Sequence, residues 1–158
     1  MNEYEVSGIE NIARGVCVVD GKVLLCKPKK GGYTYLPGGH IEFGEKGREA
    51  LVREIKEEMG LEAEAGDLLG VVESAFEQHG KPHAEINLIY RLNLIPPPSS
   101  LLPPSSSLLP PSSSLLPHPS SLIPPSSLES WIAFEWRDVS DLDNANLLPP
   151  EMIPYVKA

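Results

Sequence analysis

The chain has 158 residues, with 13 Lys and Arg against 22 Asp and Glu, which gives a net charge of −9. This excess of negative charge argues against a nucleic-acid polymer or an anionic membrane surface as a partner, because both require a basic footprint. The N-terminus has no basic segment followed by an apolar run, and no stretch of about 18 successive apolar residues occurs. We therefore expect a cytoplasmic location and no membrane partner.

The first predicted element is a β-hairpin. Two apolar runs, Val16–Val19 and Val23–Cys26, flank Asp20-Gly21, a dipeptide that strongly favours a two-residue hairpin turn. In that register Cys17 and Cys26 are not directly opposite each other. We expect both to be reduced thiols in the core, because Cys commonly behaves as a small buried hydrophobe.

A third strand is predicted at Tyr33–Leu36, and we expect it to stop at Pro37-Gly38-Gly39. The apolar period then becomes helical over Lys46–Met59, with one stripe formed by Leu51, Ile55 and Met59. Gly60 follows as a typical C-terminal cap. Lys46 lacks the Ser or Thr oxygen that caps many helices, so we expect the first turn to fray.

The remaining elements alternate again between strand and helix patterns. Strands are predicted at Leu68–Phe76, Glu85–Leu94 and Trp131–Trp136, then one helical turn at Asp138–Leu142 and a last helix after Pro149-Pro150. The order strands, helix, strands, helix predicts an α/β fold with a mixed sheet packed between helices.

A low-complexity loop interrupts this pattern at residues 96–128. It contains 11 Pro and 12 Ser but no charged, glycine or aromatic residue, and it repeats LLPPSSS at a period of seven. Proline breaks helices, which excludes a coiled coil, and we expect a solvated polyproline-like insert within one domain over residues 1–158. A docking segment for a proline-recognition module is the alternative. Its leucines could be buried only on the domain or on a second subunit, which leaves a homodimer open.

Three glutamates of the predicted helix share one side. Glu54, Glu57 and Glu58 lie at i, i+3 and i+4, within an arc of about 100°. Like charges at this spacing destabilise a plain surface helix by a few tenths of a kcal/mol per pair. Oxygen donors that face one point suit Mg²⁺ or Mn²⁺, with the other positions left to water and substrate phosphate. A solvated acidic face is the alternative for the glutamates alone.

These glutamates belong to a longer pattern over residues 39–61. The pattern runs Gly39, five residues, Glu45, seven residues, Arg53-Glu54, an aliphatic Ile55, one residue, Glu57-Glu58, one residue, Gly60 and an aliphatic Leu61. It resembles the Nudix box at each of its nine defined positions. The resemblance extends to the residues on both sides of the box and covers everything except the insert.

The resemblance implies an α/β/α sandwich and a metal-dependent hydrolase. Such an enzyme cleaves the pyrophosphate linkage of a nucleoside diphosphate joined to another moiety, so the expected partner is a small nucleotide substrate. A non-catalytic nucleotide-binding or regulatory module and an isomerase are the alternatives. No local motif selects the substrate.

The resemblance also assigns roles to single residues. Glu54, Glu57 and Glu58 are the implied catalytic residues and, with the Gly39 carbonyl, the implied ligands of Mg²⁺ or Mn²⁺. Either Glu54 or Glu57 is expected to act as the base. Glu45 and Arg53 are the implied structural ion pair.

Other assignments rest on weaker signals. Glu85, on a neighbouring strand, is a candidate fifth metal ligand or else an exposed strand carboxylate. Some family members take a catalytic glutamate from the loop that is here the insert, but no carboxylate occurs there before Glu129, so no base is expected from it. The candidate substrate contacts are Arg14, Lys27, Tyr35 and Gly38; solvated loop lysines and packing tyrosines are the alternatives.

Overall fold

The computed structural model describes residues 8–97 and 122–158. Its strands are β1 (Glu10–Val16), β2 (Val18–Val19), β3 (Lys22–Pro28), β4 (Gly38–His40), β5 (Glu62–Gln78), β6 (Lys81–Ile95) and β7 (Ile132–Asp138). Its helices are α1 (Gly47–Met59) and α2 (Ile153–Lys157), with 3₁₀ turns at Val139–Asn144 and Pro150–Met152. Within these two stretches, no helix has the length and apolar character that a membrane span requires.

The strands form two sheets. In the first, the order is β4-β1-β6-β5, and it is mixed because β1 runs parallel to β6 but antiparallel to β4. In the second, β2, β3 and β7 are all antiparallel. The chain passes between the sheets at Cys17, so the strand predicted over Val16–Val19 is in fact the end of one strand and the whole of another.

Two apolar cores lie on opposite sides of the sheets. Strand β3 shows the division, since Leu24 and Cys26 contribute to one core while Val23 and Leu25 contribute to the other. The first core takes the apolar stripe of α1, and the second takes Leu142, Met152 and Val156 of the C-terminal helical segments. Helices therefore cover both faces, which confirms the predicted α/β/α sandwich.

The predicted hairpin is confirmed at its turn. Val19 pairs with Lys22, and Asp20 and Gly21 have φ angles of 50° and 74°. Two successive residues with positive φ match the right-handed twist of the flanking strands, which is why Asp-Gly is favoured there. Cys17 and Cys26 are buried free thiols, as expected.

The strand predicted at Tyr33–Leu36 is wrong. Thr34 and Tyr35 form only isolated bridges, and the regular strand is β4, which begins at Gly38. A Cβ at Gly38 would collide with the carbonyl of Ala13 on β1, and Gly38 has a φ of 139°. The glycine is therefore required for β4 to approach β1, and it does not mark the end of a strand.

Helix α1 has a cap at each end. At the N-terminal end, the Lys46 N–H donates to the Glu49 carboxylate at 3.1 Å. The expectation of a frayed first turn considered only the side chain of Lys46 and overlooked this acceptor. At the other end Gly60 has a φ of 70°, and its N–H donates to the Lys56 carbonyl at 2.9 Å.

Most of the predicted insert, residues 98–121, lies outside the described residues. Its last part contacts the domain. The Leu128 N–H donates to the carbonyl of Glu58 at 2.8 Å, and the Trp136 Nε1–H donates to the carbonyl of Ile123 at 3.3 Å. Residues 122–128 therefore return along the C-terminal end of α1 and along β7.

Candidate active site

An ion pair ties the loop after β4 to α1. The guanidinium of Arg53 donates to both carboxylate oxygens of Glu45, with Nε–Oε2 at 2.7 Å and Nη2–Oε1 at 2.9 Å. Nη2 also donates to the carbonyl of His40 at 3.0 Å. The hydrogen bonds from Arg53 lower the pKa of Glu45 to about 2. The structure thus brings together the two side chains that the resemblance pairs.

The same guanidinium lies between two glutamates of the helix. Its Nη1 is 3.2 Å from Glu54 Oε1 and 3.2 Å from Glu57 Oε1. One cation therefore reduces the repulsion that the glutamate spacing creates. Glu57 is 55% exposed and lines an open groove of about 610 Å³ between α1 and the start of β5, so solutes reach it from that side.

Glu54 lies directly beside Gly39. A Cβ on Gly39 would lie 2.6 Å from Glu54 Oε1, so only glycine allows the carboxylate to come this close to β4. Burial raises the pKa of Glu54, and the neighbouring Arg53 charge opposes that rise. The arrangement places the Glu54 carboxylate against the Cα of Gly39 on β4.

Glu58 is the most deeply buried of the three box glutamates, with 9% exposure. Its Oε2 is buried and has no hydrogen-bond partner among the described residues. Burial, and next the charge of Glu54, raise the pKa of Glu58 to about 8, while Arg14 opposes the rise. A buried carboxylate without a donor is costly, and a bound cation is one way to relieve that cost. The residues present therefore fit a divalent cation in donor type and in charge.

The carboxylates are not yet gathered as ligands. In residues 8–97 and 122–158, no three His, Cys, Asp or Glu side chains form a group ready to hold a metal. Arg53 engages Glu54 and Glu57. A cation held by all three glutamates would therefore require rotation of their side chains.

Glu129 is a neighbour of this site that sequence reasoning discounted. Its charge contributes to the raised pKa of Glu58. The bond from Leu128 N–H to the Glu58 carbonyl brings the return segment to this position. The available signal was that Glu129 is the first carboxylate after the insert.

Glu85 lies elsewhere. It pairs with Glu10 on β1 and Ser74 on β5, and its Oε2 accepts from Asn87 Nδ2 at 3.4 Å. Alternation along β6 places it on the same face as Ile89, which belongs to the core away from α1. The structure does not bring Glu85 into contact with the helix glutamates, and its role as a ligand stays a prediction.

Three of the four candidate substrate contacts are neighbours. Arg14 Nη1 donates to the carbonyl of Leu36 at 3.1 Å, and the Arg14 guanidinium carbon lies 5.3 Å from the centre of the Tyr35 ring. Gly38 pairs with Arg14 across β4 and β1. Lys27 is exposed on β3, in the second sheet.

A cluster of titratable residues that the sequence did not indicate lies at the edge of the site. Glu10 Oε1 is 3.1 Å from His40 Nε2, and Glu10 Oε2 is 3.5 Å from His83 Nδ1. The hydrogen bond from His40 is the largest cause of the lowered pKa of Glu10. The cluster forms because β1 pairs with β6 in parallel. No local pattern in the sequence predicts it.

Comparisons with known proteins identify the family of this chain. The family model for the NUDIX domain matches residues 10–156. The ADP-ribose pyrophosphatase of Methanocaldococcus jannaschii is 42% identical over 84 residues, which cover 51% of this chain and 48% of that protein. The CTP pyrophosphohydrolase of Escherichia coli is 42% identical over 52 residues, which cover 30% of this chain and 38% of that protein. The matched region thus spans about half of the first relative and less of the second.

Solved structures show the same fold. The solution structure of the E. coli ORF135 protein superposes with a TM-score of 0.62 at 20% identity, covering 99% of this chain and 92% of that one. A NUDIX-family hydrolase from Clostridium perfringens gives a TM-score of 0.63 at 19% identity, covering 95% of each chain. Because the family model matches residues 10–156, nearly the whole chain, the chain belongs to the NUDIX domain family.

Proposed function

We propose that the chain is a divalent-metal-dependent hydrolase that cleaves the pyrophosphate linkage of a nucleoside diphosphate joined to another moiety. The products would be a nucleotide and the phosphorylated second moiety. The names of the sequence relatives, an ADP-ribose pyrophosphatase and a CTP pyrophosphohydrolase, support this reaction class. They differ from each other in substrate, so they leave the substrate of this chain open.

The observation that carries the proposal is the buried Oε2 of Glu58. It has no hydrogen-bond partner among the described residues, and Glu54, Glu57 and Glu129 all add negative charge around it. Such an arrangement is costly without a cation, which favours a metal site over a plain binding module.

The ligands we propose for Mg²⁺ or Mn²⁺ are the Gly39 carbonyl, Glu54, Glu57 and Glu58, with Glu85 as a further candidate. When bound, the metal would neutralise phosphate charge and acidify the attacking water. Glu45 and Arg53 hold the loop and the helix in place around these ligands.

Glu54 is our candidate for the group that takes the proton from the attacking water, with Glu57 as the second candidate. Burial raises the pKa of Glu54, which makes its carboxylate a better base than an exposed one. Glu54 also lies against Gly39, at the point where the loop and the helix meet. Glu129 is a third carboxylate close to this pocket.

The other candidate residues would contact the phosphates and the base of the substrate. Arg14 Nη1 donates to the Leu36 carbonyl, and the other N–H groups of the guanidinium would donate to a phosphate oxygen. Tyr35 lies beneath that guanidinium and could pack against a base. Gly38 allows close approach of the backbone, and Lys27 would reach the site only from the second sheet.

A substrate panel tests the proposal. The parent protein is incubated with nucleotide sugars, ADP-ribose, dinucleoside polyphosphates and nucleoside triphosphates, with Mg²⁺, with Mn²⁺ or with chelator. We expect hydrolysis of at least one member with metal and none with chelator. Absence of turnover across the panel, or equal turnover in chelator, would contradict the proposed function.

A further inference from the structure

The outer edge of β5 is unpaired over the second half of the strand. β5 is the last strand of the four-stranded sheet, and among the described residues it pairs only with β6. From Gly70 to Gln78 this pairing is continuous, without the register shifts that interrupt it before Gly70. At Gly70 itself, an added Cβ would collide with the Tyr155 ring, so α2 packs there. We define residues 71–78, which lie beyond this contact, as the open edge.

The hairpin turn determines which backbone groups the open edge presents. His79 and Gly80 both have positive φ angles, 53° and 75°, and Gln78 pairs with Lys81 across them. A two-residue turn of this kind closes on a hydrogen-bonded pair, and bonded and non-bonded pairs then alternate along the hairpin. The N–H and C=O groups that point away from β6 therefore belong to alternate residues of the edge: Val71, Glu73, Ala75 and Glu77.

The side chains of β5 carry negative charge only. The strand contains five Asp or Glu residues and no Lys or Arg: Glu62, Glu64, Asp67, Glu73 and Glu77. Glu73 and Glu77 are exposed, and neither has an ion pair or a side-chain hydrogen bond in residues 8–97 and 122–158. Apolar surface lies beside them, since Val71 is 46% exposed and Phe76 is 42% exposed. The open edge thus combines unpaired backbone groups, apolar side chains and uncompensated negative charge.

A second copy of the chain fits this edge poorly. If two open edges pair antiparallel about a two-fold axis, Glu73 and Glu77 of one copy lie opposite or diagonal to the same residues of the other. Opposite residues are about 5 Å apart and diagonal ones about 7–8 Å, so like charges at these positions repel. The insert at residues 96–128 contains no charged residue that could neutralise them. The complementary occupant is therefore an extended segment that brings positive charge.

We propose that the open edge is a docking site for an extended basic peptide segment of another protein, which adds to the sheet as a fifth strand. Its backbone would bond to the outward N–H and C=O groups, which supply affinity. Lys or Arg at every second position would lie opposite Glu73 and Glu77, and the apolar residues between them would pack beside Phe76. The strand β4, which contains Gly39, lies at the opposite edge of the sheet, so docking and hydrolysis would use separate surfaces.

Three eight-residue peptides test the proposal on the full-length protein. The first alternates Lys and Val, and the second alternates Glu and Val. The third is the Lys-Val peptide with methyl groups on the backbone nitrogens of its Lys residues, whose N–H groups would face β5. We expect the first peptide to shift the backbone amide resonances of residues 71–78. The other two should bind at least about tenfold more weakly, because one reverses the charge and the other lacks the donors.

Substitutions on the open edge separate its charge from its backbone. Glu73→Lys combined with Glu77→Lys should reverse the preference, so that the Glu-Val peptide binds better than the Lys-Val peptide. Glu64→Lys combined with Glu151→Lys is the control, because it changes the net charge equally at exposed positions outside the open edge. It should keep the parent preference. Ala75→Pro removes one outward N–H but no charge, and it should weaken the Lys-Val peptide about tenfold.

Each remaining outcome contradicts the docking site. Equal affinity for the methylated and unmethylated peptides would show attraction by charge alone, and this comparison uses the parent protein, so it does not depend on the folding of a variant. Absence of binding, or resonance shifts confined to other residues, would also overturn the proposal. Without peptide, the amides of Glu73 and Ala75 should exchange rapidly with solvent. Protection there would show that a second copy or another part of this chain already covers the edge. None of these measurements requires turnover, so they are independent of the proposed function.

Discussion

The buried carboxyl of Glu58 couples the stability of the metal-free protein to pH. Its pKa is about 8 in the folded chain, against an ordinary value of 4.5. The folded state therefore binds the Glu58 proton more tightly than the unfolded state does. The resulting stability is fully present below about pH 4.5 and is lost as the pH rises through about 8.

We expect the free energy of unfolding in chelator to fall by a few kcal/mol between about pH 5 and about pH 9. Glu58→Gln should flatten this profile and stabilise the protein at the alkaline end, because it removes the buried charge. Urea unfolding across the pH range measures both. Glu62→Gln, at a 64% exposed position, is the control and should keep the parent slope. A parent profile without that fall would show that Glu58 is not desolvated.

Glu57 permits a test of catalysis that leaves the fold intact. Glu57→Gln removes a charge but almost no volume, and the amide oxygen can still accept from Arg53. We expect kcat on any hydrolysed substrate to fall at least about 10²-fold with an unchanged melting temperature. Glu62→Gln is matched to it, since Glu62 is 64% exposed, is paired with Lys56 and lines the same groove. Near-parent activity of the Glu57 variant with Mg²⁺ would exclude the proposed metal site.

At the scale of elements, the ion pair of Glu45 and Arg53 ties the loop after β4 to α1. Glu45→Ala removes both hydrogen bonds that Arg53 makes to it and leaves the guanidinium beside Glu54 and Glu57. We expect a lower melting temperature and lower activity together, since the loop after β4 loses its ion pair with α1. Thermal unfolding and initial rates measure the two effects.

The same loop provides the control for that prediction. Glu42 is 3.8 Å from Arg53 and 69% exposed, so Glu42→Ala should behave nearly as the parent does. Equal effects of the two substitutions would mean that loop charge in general, and not the paired geometry of Glu45, stabilises the junction.

Elements with local signals were predictable from the sequence. The periodic apolar stripe predicted α1, and Asp20-Gly21 predicted the hairpin turn. β4 was not predicted because Gly38 is needed for its close approach to Ala13. That contact joins residues that are distant in sequence. The switch of sheets at Cys17 has the same origin, since it depends on which strands later join each sheet.

The candidate site divides in the same way. Glu54, Glu57 and Glu58 were predictable because helical spacing alone places them together. Glu129 and the Glu10 cluster were not, because a return segment and a parallel strand pair bring them in.

At the scale of the whole molecule, the insert should be dispensable in its central part only. Replacing residues 98–121 by a short Gly/Ser loop should leave hydrolysis within about a few-fold and the melting temperature nearly unchanged, because loop closure costs only about 0.6 kcal/mol per doubling of length. Replacing residues 98–128 should lower the melting temperature, since it removes the bonds to Glu58 and Trp136. A large loss of activity in the shorter replacement would show that the insert helps to form the substrate pocket.

The two sheets also determine the order in which this chain can fold. Glu10 pairs with Glu85, and Leu24 pairs with Trp136, so each sheet closes only through partners far apart along the chain. Such topologies fold slowly, on the order of milliseconds to seconds, because distant contacts must form before they contribute stability. During synthesis β3, which is apolar on both faces, has no β7 beside it until the insert has emerged. The newly made chain therefore has an unpaired, aggregation-prone strand edge until β7 has been synthesised.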